Sequence, residues 1–310
     1  MTAKPTVGWI GVGRMGYQLA KRLLDAGYDV AVYNRTRGKA EQLVEFGASV
    51  VDKPIDLADR DVVFSMVSAS NDLEQVMLGQ DGLLTDESRA PKVIGDASTV
   101  SPQASANVRS IAESRGVGFL ATPVSGNPKV IEAGKLTVAV SGPRPVFDEV
   151  RPLLETWGRS VTYVGEDEVA RTVKIAHNVF LGVVTQSLAE ITVLAEKAGV
   201  SREAFLTFLN DSVMGSVFTH YKTPALVNLD FTPTFTNVLL QKDFDLGLSA
   251  AQELGVVMPV ASLTRNIVAQ EVGNGNVEQD FASLLLTVAH GSGLNVVPEN
   301  APVTDGLEAS

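Results

Sequence analysis

The chain has 310 residues, 45% of them hydrophobic, and a formal net charge of −11. That length favours two domains over one core, and the acidity argues against nucleic acid or an anionic membrane surface as a partner. No cysteine is present, which excludes disulfides and thiol catalysis; His177, His220 and His290 lack metal-ligand spacing, so no metal is expected.

The first predicted element is a buried strand, Val7-Gly8-Trp9-Ile10, reached within a few residues of Met1, so no signal peptide is expected. It runs into Gly11-Val12-Gly13-Arg14-Met15-Gly16 and then into a helix with apolar residues at Met15, Leu19, Ala20, Leu23 and Leu24. Strand, G-x-G-x-x-G and helix in that order form a dinucleotide fingerprint. Gly11 suits the tight turn, Gly13 the approach of a pyrophosphate, and Gly16 the packing of helix on strand, while the helix N-terminus faces the phosphates. The second strand, Asp29 to Tyr33, ends in Asn34-Arg35-Thr36-Arg37. An NAD site usually carries an acidic residue there for the ribose 2′-hydroxyl. Arginines instead suit a 2′-phosphate and stack on adenine, so NADP(H) is expected over NAD(H). The bland alternative is that Asn34-Arg35 opens a solvated loop.

Further strands are expected at 48–51, 62–65, 93–96 and 118–121, with helices such as 39–46 and 102–114 between them. This alternation predicts a parallel, doubly wound sheet, extended by 136–140 and 161–164. After the sixth strand comes Thr122-Pro123-Val124-Ser125-Gly126-Asn127-Pro128, a polar loop at a strand's C-terminal end. Doubly wound folds bind ligands at such ends. The Ser125 hydroxyl and the Gly126 and Asn127 amides suit a carboxylate, although the same residues also make ordinary turns.

From 169 to 198 there is no proline and only Gly182 as a weak breaker, so one helix of about 45 Å is expected. Its apolar stretch 179–195 is interrupted by Gln186 and Glu190, against a membrane span. Lys174, His177 and Asn178 share one helical face, continued by Leu181. Beside Val173, Ile175 and Leu181 a lysine is partly desolvated, which favours its neutral form and suits proton transfer. A snorkelling lysine at the edge of a core helix fits the same pattern. Helical periodicity continues at 201–210, 236–254, 259–271 and 280–290. The expected organisation is an α/β, Rossmann-type domain at 1–166, the long helix leading an all-α domain at 167–297, and a disordered polar tail at 298–310.

Taken together, these motifs resemble the β-hydroxyacid dehydrogenase family. The resemblance covers about residues 5–290 and rests on Gly8 to Gly16 with Asn34-Arg35-Thr36, Asp96-Ala97-Ser98-Thr99-Val100-Ser101-Pro102, Pro123-Val124-Ser125-Gly126, Lys174 with Asn178, and Lys242-Asp243. It implies Lys174 as the catalytic residue and Asn178 as the one that orients the substrate. Ser125, Gly126 and Asn127 would hold the substrate carboxylate, with His177 and Asp243 also on the substrate side. The cofactor set would comprise Gly11, Gly13, Arg14, Met15, Gly16, Asn34, Arg35, Thr36, Arg37, Met66, Val67, Thr99 and Lys242. A small 3-hydroxy acid and a homodimer are also implied; the expectation of a soluble cytoplasmic protein comes instead from the lack of a signal peptide and of a membrane span in the sequence.

The chain departs from the family pattern in four places. Ala121 stands where Asp is usual, and Asn127-Pro128 follows Gly126 where two glycines are usual. Met66-Val67-Ser68 replaces Leu-Pro. His177-Asn178 replaces two asparagines, as in the related 6-phosphogluconate dehydrogenases, whose phosphate would need a basic cluster that the C-terminal half lacks. Two rival readings are an NADPH-dependent imine reductase, which generally lacks the lysine, and a non-catalytic NADPH-binding regulator, which would need neither Lys174 nor Ser125.

Overall fold

The computed structural model describes residues 4–307. Its contacts divide the chain into two compact units at Lys174 and Ile175, so the division falls inside the long helix rather than before it.

The first unit is built on one sheet. Strands β1 (Val7–Ile10), β2 (Val30–Tyr33), β3 (Ser49–Val50), β4 (Val62–Ser65), β5 (Val93–Asp96) and β6 (Gly118–Ala121) pair in parallel in the order β3-β2-β1-β4-β5-β6. β1, β4 and β5 are buried throughout, because helices cover both faces of a parallel sheet. Trp9 and Phe64 point to one side, where they meet Trp157 with ring centroids 5.7 and 4.8 Å away. Ile10, Val63 and Ile94 point to the other side, into a core with Leu73 and Val108. The helices are α1 (Arg14–Asp25), α2 (Arg37–Glu41), α3 (Ser70–Leu78), α4 (Pro102–Ser114), α5 (Pro128–Glu132) and α6 (Arg144–Leu154).

Beyond β6 the sheet is not parallel. Val124–Ser125, expected in a loop, forms a short strand, β7, antiparallel to β8 (Thr137–Ser141), which is itself antiparallel to β6. β9 (Ser160–Gly165) then pairs parallel with β8.

Helix α7 (Val169–Lys197) is followed in the second unit by α8 (Arg202–Asp211), α9 (Val217–Asn228), α10 (Asn237–Leu254), α11 (Pro259–Gly273) and α12 (Leu284–Gly291). The core gathers Val193, Leu206, Leu240, Phe244, Val268 and Leu285. Gly182 does not break α7. A Cβ there would lie 2.4 Å from the Phe244 ring, so glycine permits the close approach of α10. By length and composition alone α7 could cross a membrane, yet half of its apolar window is buried within the protein. Gln186 and Glu190 inside it hydrogen-bond to each other at 2.8 Å.

Residues 298–307 are placed by definite contacts, where composition suggests disorder. Both Glu299 carboxylate oxygens accept N–H bonds from the first turn of α8, at 2.7 Å from Arg202 and 2.9 Å from Glu203, an arrangement that caps a helix and complements its dipole. Asn228 exchanges two 3.0 Å bonds with the Ala301 backbone, and Leu307 is buried. Residues 308–310 of the expected tail lie outside the described residues.

Candidate active site

The first unit brings its chemistry to the C-terminal ends of the parallel strands, around the point where the strand order reverses between β1 and β4. Gly11 follows β1 with φ +96°, a conformation side-chain-bearing residues rarely adopt, and a Cβ there would lie 2.2 Å from the Met66 carbonyl oxygen. A Cβ on Gly16 would lie 2.0 Å from the Gly11 carbonyl oxygen, so α1 packs directly against the turn. Gly13 precedes α1, and nothing lies within 4 Å of where its Cβ would be. Arg14 and Met15 open α1, whose first turn carries no acidic residue. An open cradle, a helix N-terminus and no negative charge together fit a pyrophosphate.

The segment after β2 divides its work. The Asn34 amide oxygen accepts from the Val12 backbone N–H at 2.9 Å, and its Nδ2 donates to the Thr36 carbonyl at 2.9 Å. Asn34 thus props the glycine-rich turn. Arg37 pairs with Glu41 at 3.0 Å and with Asp52. Arg35 is 88% exposed, with Asp72 at 3.5 Å. After β4, Met66 and Val67 are half-buried, and the Val67 N–H donates to Ser98 Oγ at 2.8 Å.

At the end of β5, Asp96 is the hub of a network that no local sequence motif announces. Its Oδ1 accepts from Ser65 Oγ at 2.6 Å and Ser98 Oγ at 2.7 Å. Its Oδ2 accepts from Arg171 Nη2 at 2.7 Å, both side chains being at most 1% exposed. Arg171 also donates to the Ser98 carbonyl at 2.6 Å and to Ser105 Oγ at 3.0 and 3.1 Å. Asp96 appeared in the sequence only as the start of a motif; an arginine in an apolar helical stretch three residues before Lys174 was the available signal. The network ties Thr99, half-buried beside Ser98, to the first turn of α7. Lys174 follows one turn on and is half-buried.

Ser125 sits in β7 opposite Thr137 and is half-buried, and Gly126 follows at φ +145°. Asn127 is buried. Its Oδ1 caps α5 by accepting from the Val130 N–H at 3.0 Å, and its Nδ2 has no hydrogen-bond partner among the described residues. An unsatisfied buried donor is costly unless a ligand takes it.

In the second unit, α7 and α10 bring together four of the expected residues, His177, Asn178, Lys242 and Asp243. Asn178, 3% exposed, donates from Nδ2 to Asp243 Oδ2 at 2.5 Å. Its Oδ1 lies 3.0 Å from His177 Nδ1. Lys242 is partly exposed with its Nζ 3.6 Å from Asp243 Oδ1, and Asp243 is 1% exposed.

A doubly wound sheet with this glycine-rich turn, joined by one long helix to an all-helical unit, defines a nicotinamide-dinucleotide-dependent oxidoreductase. Residues 6–165 match the NAD binding domain of 6-phosphogluconate dehydrogenase, and residues 169–288 match the NAD-binding region of NADP-dependent 3-hydroxyisobutyrate dehydrogenase. A 3-hydroxyisobutyrate dehydrogenase of Pseudomonas aeruginosa is 31% identical over 84% of this chain and 90% of its own length. The structure of Mycobacterium tuberculosis 3-hydroxyisobutyrate dehydrogenase with L-serine superposes with a TM-score of 0.80, at 26% identity over 92% of this chain and 99% of that one. An imine reductase from a Pseudomonas species shares the fold, with a TM-score of 0.62 at 22% identity over 93% of this chain and 100% of that one. The chain belongs to the β-hydroxyacid dehydrogenase family.

The Asp96–Arg171 pair gives a direct test of what anchors α7. Arg171→Met leaves a buried carboxylate uncompensated and is expected to cost about 3 kcal/mol or more of stability. Adding Asp96→Asn should recover at least about 1 kcal/mol of that loss, because the two positions share one interaction. Urea unfolding of the two single variants and the double variant measures both numbers.

Proposed function

We propose that this enzyme interconverts a small 3-hydroxy acid and the matching semialdehyde or keto acid, with NADP(H) preferred. The observation that carries the reading is Lys174, half-buried one turn beyond an Arg171 locked to the strand ends that also bear Thr99.

The bound nicotinamide accepts or supplies the hydride; everything else falls to side chains of this chain. In reduction the Lys174 ammonium gives a proton to the carbonyl oxygen as negative charge builds there, and in oxidation the neutral amine removes it from the hydroxyl. Ser125 Oγ, the Gly126 amide and the buried Asn127 Nδ2 donate to the substrate carboxylate, which fixes its orientation. Asn178, held by Asp243, orients the reacting group. Thr99 and Lys242 contact the cofactor. Of the residues after β2, Arg35 is left to meet the 2′-phosphate, since Asn34 supports the turn and Arg37 is engaged by two carboxylates.

A soluble homodimer fits the exposed apolar side chains of the helical unit, among them Phe180, Leu194, Phe208, Val257 and Leu263, which a second copy would cover. The imine reductase reading is supported by the shared fold and by His177 where asparagine is usual. A turnover screen over 3-hydroxy acids, semialdehydes and cyclic imines with both cofactors separates the two, and turnover of imines alone overturns the hydroxy-acid reading.

The expected outcomes concern the lysine, the cofactor and the assembly. Lys174→Ala lowers kcat about 100-fold or more, the usual scale of general acid–base catalysis, while NADPH affinity barely changes. Lys174→Arg fails to restore the rate, because arginine keeps the charge but releases no proton at working pH. Retention of activity within about threefold in Lys174→Ala would remove the assignment. In fluorescence titrations NADPH binds at least about tenfold more tightly than NADH, about 1.4 kcal/mol, and Arg35→Ala narrows the gap with little effect on NADH. Sedimentation at micromolar concentration gives twice the chain mass; a monomer throughout that range rejects the dimer.

A further inference from the structure

The segment after β2 is basic in sequence, with Arg35, Arg37 and Lys39 close together, yet in space carboxylates from three places reach its arginines: Glu41 of α2, Asp52 beyond β3 and Asp72 of α3. Parallel pairing brings Asp52 there. Val32 of β2 lies opposite Val50 of β3, and the Val51 N–H donates to the Val32 carbonyl at 3.0 Å. Parallel neighbours leave a sheet at the same end, so Asp52 emerges beside the segment that follows β2. Its carboxylate accepts from Arg37 Nη1, while Glu41, one turn along α2, accepts from Arg37 Nε at 3.0 Å. Lys53, next to Asp52 in sequence, is drawn to Asp81 at 2.9 Å instead.

A guanidinium offers two edges for a bidentate bond to an oxyanion, Nε with Nη2 and Nη1 with Nη2. Glu41 holds one nitrogen of the first edge and Asp52 one of the second. Neither edge of Arg37 can grip a phosphate while both carboxylates stay. The arrangement does little for α2 itself. An arginine at the N-terminal end with a glutamate four residues on is the less favourable order for a helix.

We propose that Glu41 and Asp52 set the cofactor choice by keeping Arg37 from a 2′-phosphate, and that their removal makes Arg37 a second phosphate contact beside Arg35. This rests on the cofactor site assigned above, but not on which cofactor the wild type prefers. The 2′-phosphate is close to a dianion near neutral pH. The two carboxylates therefore act against it twice, by engaging Arg37 and by direct repulsion. A cofactor with a plain 2′-hydroxyl is indifferent to both effects.

The test measures Kd for NADPH and NADH by calorimetry on the full chain, at one fixed ionic strength because salt screens exposed charges. The Glu41→Ala, Asp52→Ala double variant should raise the preference for NADPH over NADH about fivefold relative to the wild type, the scale of one exposed charge contact, with NADH affinity unchanged. Arg37→Ala in the otherwise wild-type chain should alter either affinity by less than about twofold, because Arg37 is already engaged. Added to the double variant, Arg37→Ala should abolish the gain. No gain in the double variant overturns the proposal. So does a gain that survives Arg37→Ala, which would mean that the carboxylates act by repulsion alone. A large loss of NADPH affinity from Arg37→Ala in the otherwise wild-type chain overturns it as well, since Arg37 would then already hold the phosphate. Glu41 and Asp52 are both exposed, and Asp52→Ala alone, which frees the Nη1–Nη2 edge, repeats the comparison if the double variant does not fold. A wild type that binds the two cofactors equally removes the NADP(H) preference proposed above, while the change from wild type to variant still decides the role of Glu41 and Asp52.

Discussion

The ion pair between Asp96 and Arg171 is the constraint on which the first unit turns. Five segments meet at it: the end of β4 through Ser65, the end of β5, the Ser98–Thr99 turn, α4 through Ser105, and the first turn of α7. Taking two charges out of water costs several kcal/mol each, and a buried pair returns this only when its remaining hydrogen-bonding groups are satisfied. Here the serine hydroxyls and the Ser98 carbonyl do so. The return is geometric as much as energetic. An apolar helix can rotate or slide on an apolar surface at small cost, but a guanidinium with four fixed acceptor contacts cannot. Because Arg171 and Lys174 are three residues apart on one helix, fixing the first fixes the rotational phase of the second.

The helical unit repeats this device with different residues. Arg202, wholly buried, makes two 2.8 Å bonds to the Glu196 carboxylate and reaches the carbonyls of Val227 and Val297 at 2.8 and 2.5 Å. It thereby joins α7, α8, α9 and the segment that follows α12. Lys222 lies 2.6 Å from Asp280 and 4.2 Å from the centre of the Phe281 ring. Burial pushes its pKa down, and the Asp280 carboxylate works against that shift. Burial likewise pushes the neighbouring Tyr221 phenol up, so it keeps its proton. None of these groups is proposed to touch substrate. They hold the register of helices whose contacts are otherwise apolar.

What was legible in the sequence follows from the range of each constraint. The turn from Gly11 to Gly16 is a local demand of backbone geometry and could be read within eleven residues. The buried strands declared themselves as apolar runs. The features that escaped depend on partners distant in sequence. Arg171 finds Asp96 across 75 positions and Glu299 reaches Arg202 across 97; neither has a local signature, and the polar composition after Val297 pointed to disorder. Helix α9 carries Pro224 inside it and was not read as a helix. Strand β7 is two residues long, too short for any periodicity, and exists because β8 offers it an edge. Asn34 was legible as a residue of the cofactor region, but its task of holding the Val12 N–H needed coordinates.

The distribution of paired and unpaired charge also bears on how cofactor preference arises. After β2 two basic side chains stand where an acidic residue would favour a bare ribose. Arg37 is already held by Glu41 and Asp52, so a phosphate would have to displace carboxylates to gain it. Among the described residues Arg35 is bound only by a long 3.5 Å contact to Asp72, at a site exposed enough that such a pair is worth little. Redirecting it costs correspondingly little. The proposed preference for NADP(H) therefore rests on one exposed guanidinium and on the lack of an acidic residue at the end of β2. A charge-assisted bond of that kind contributes about 1.5–3 kcal/mol at most before side-chain ordering is subtracted. This favours a graded choice between the two cofactors over an absolute one, and NADH should still bind through the glycine-rich turn that both share.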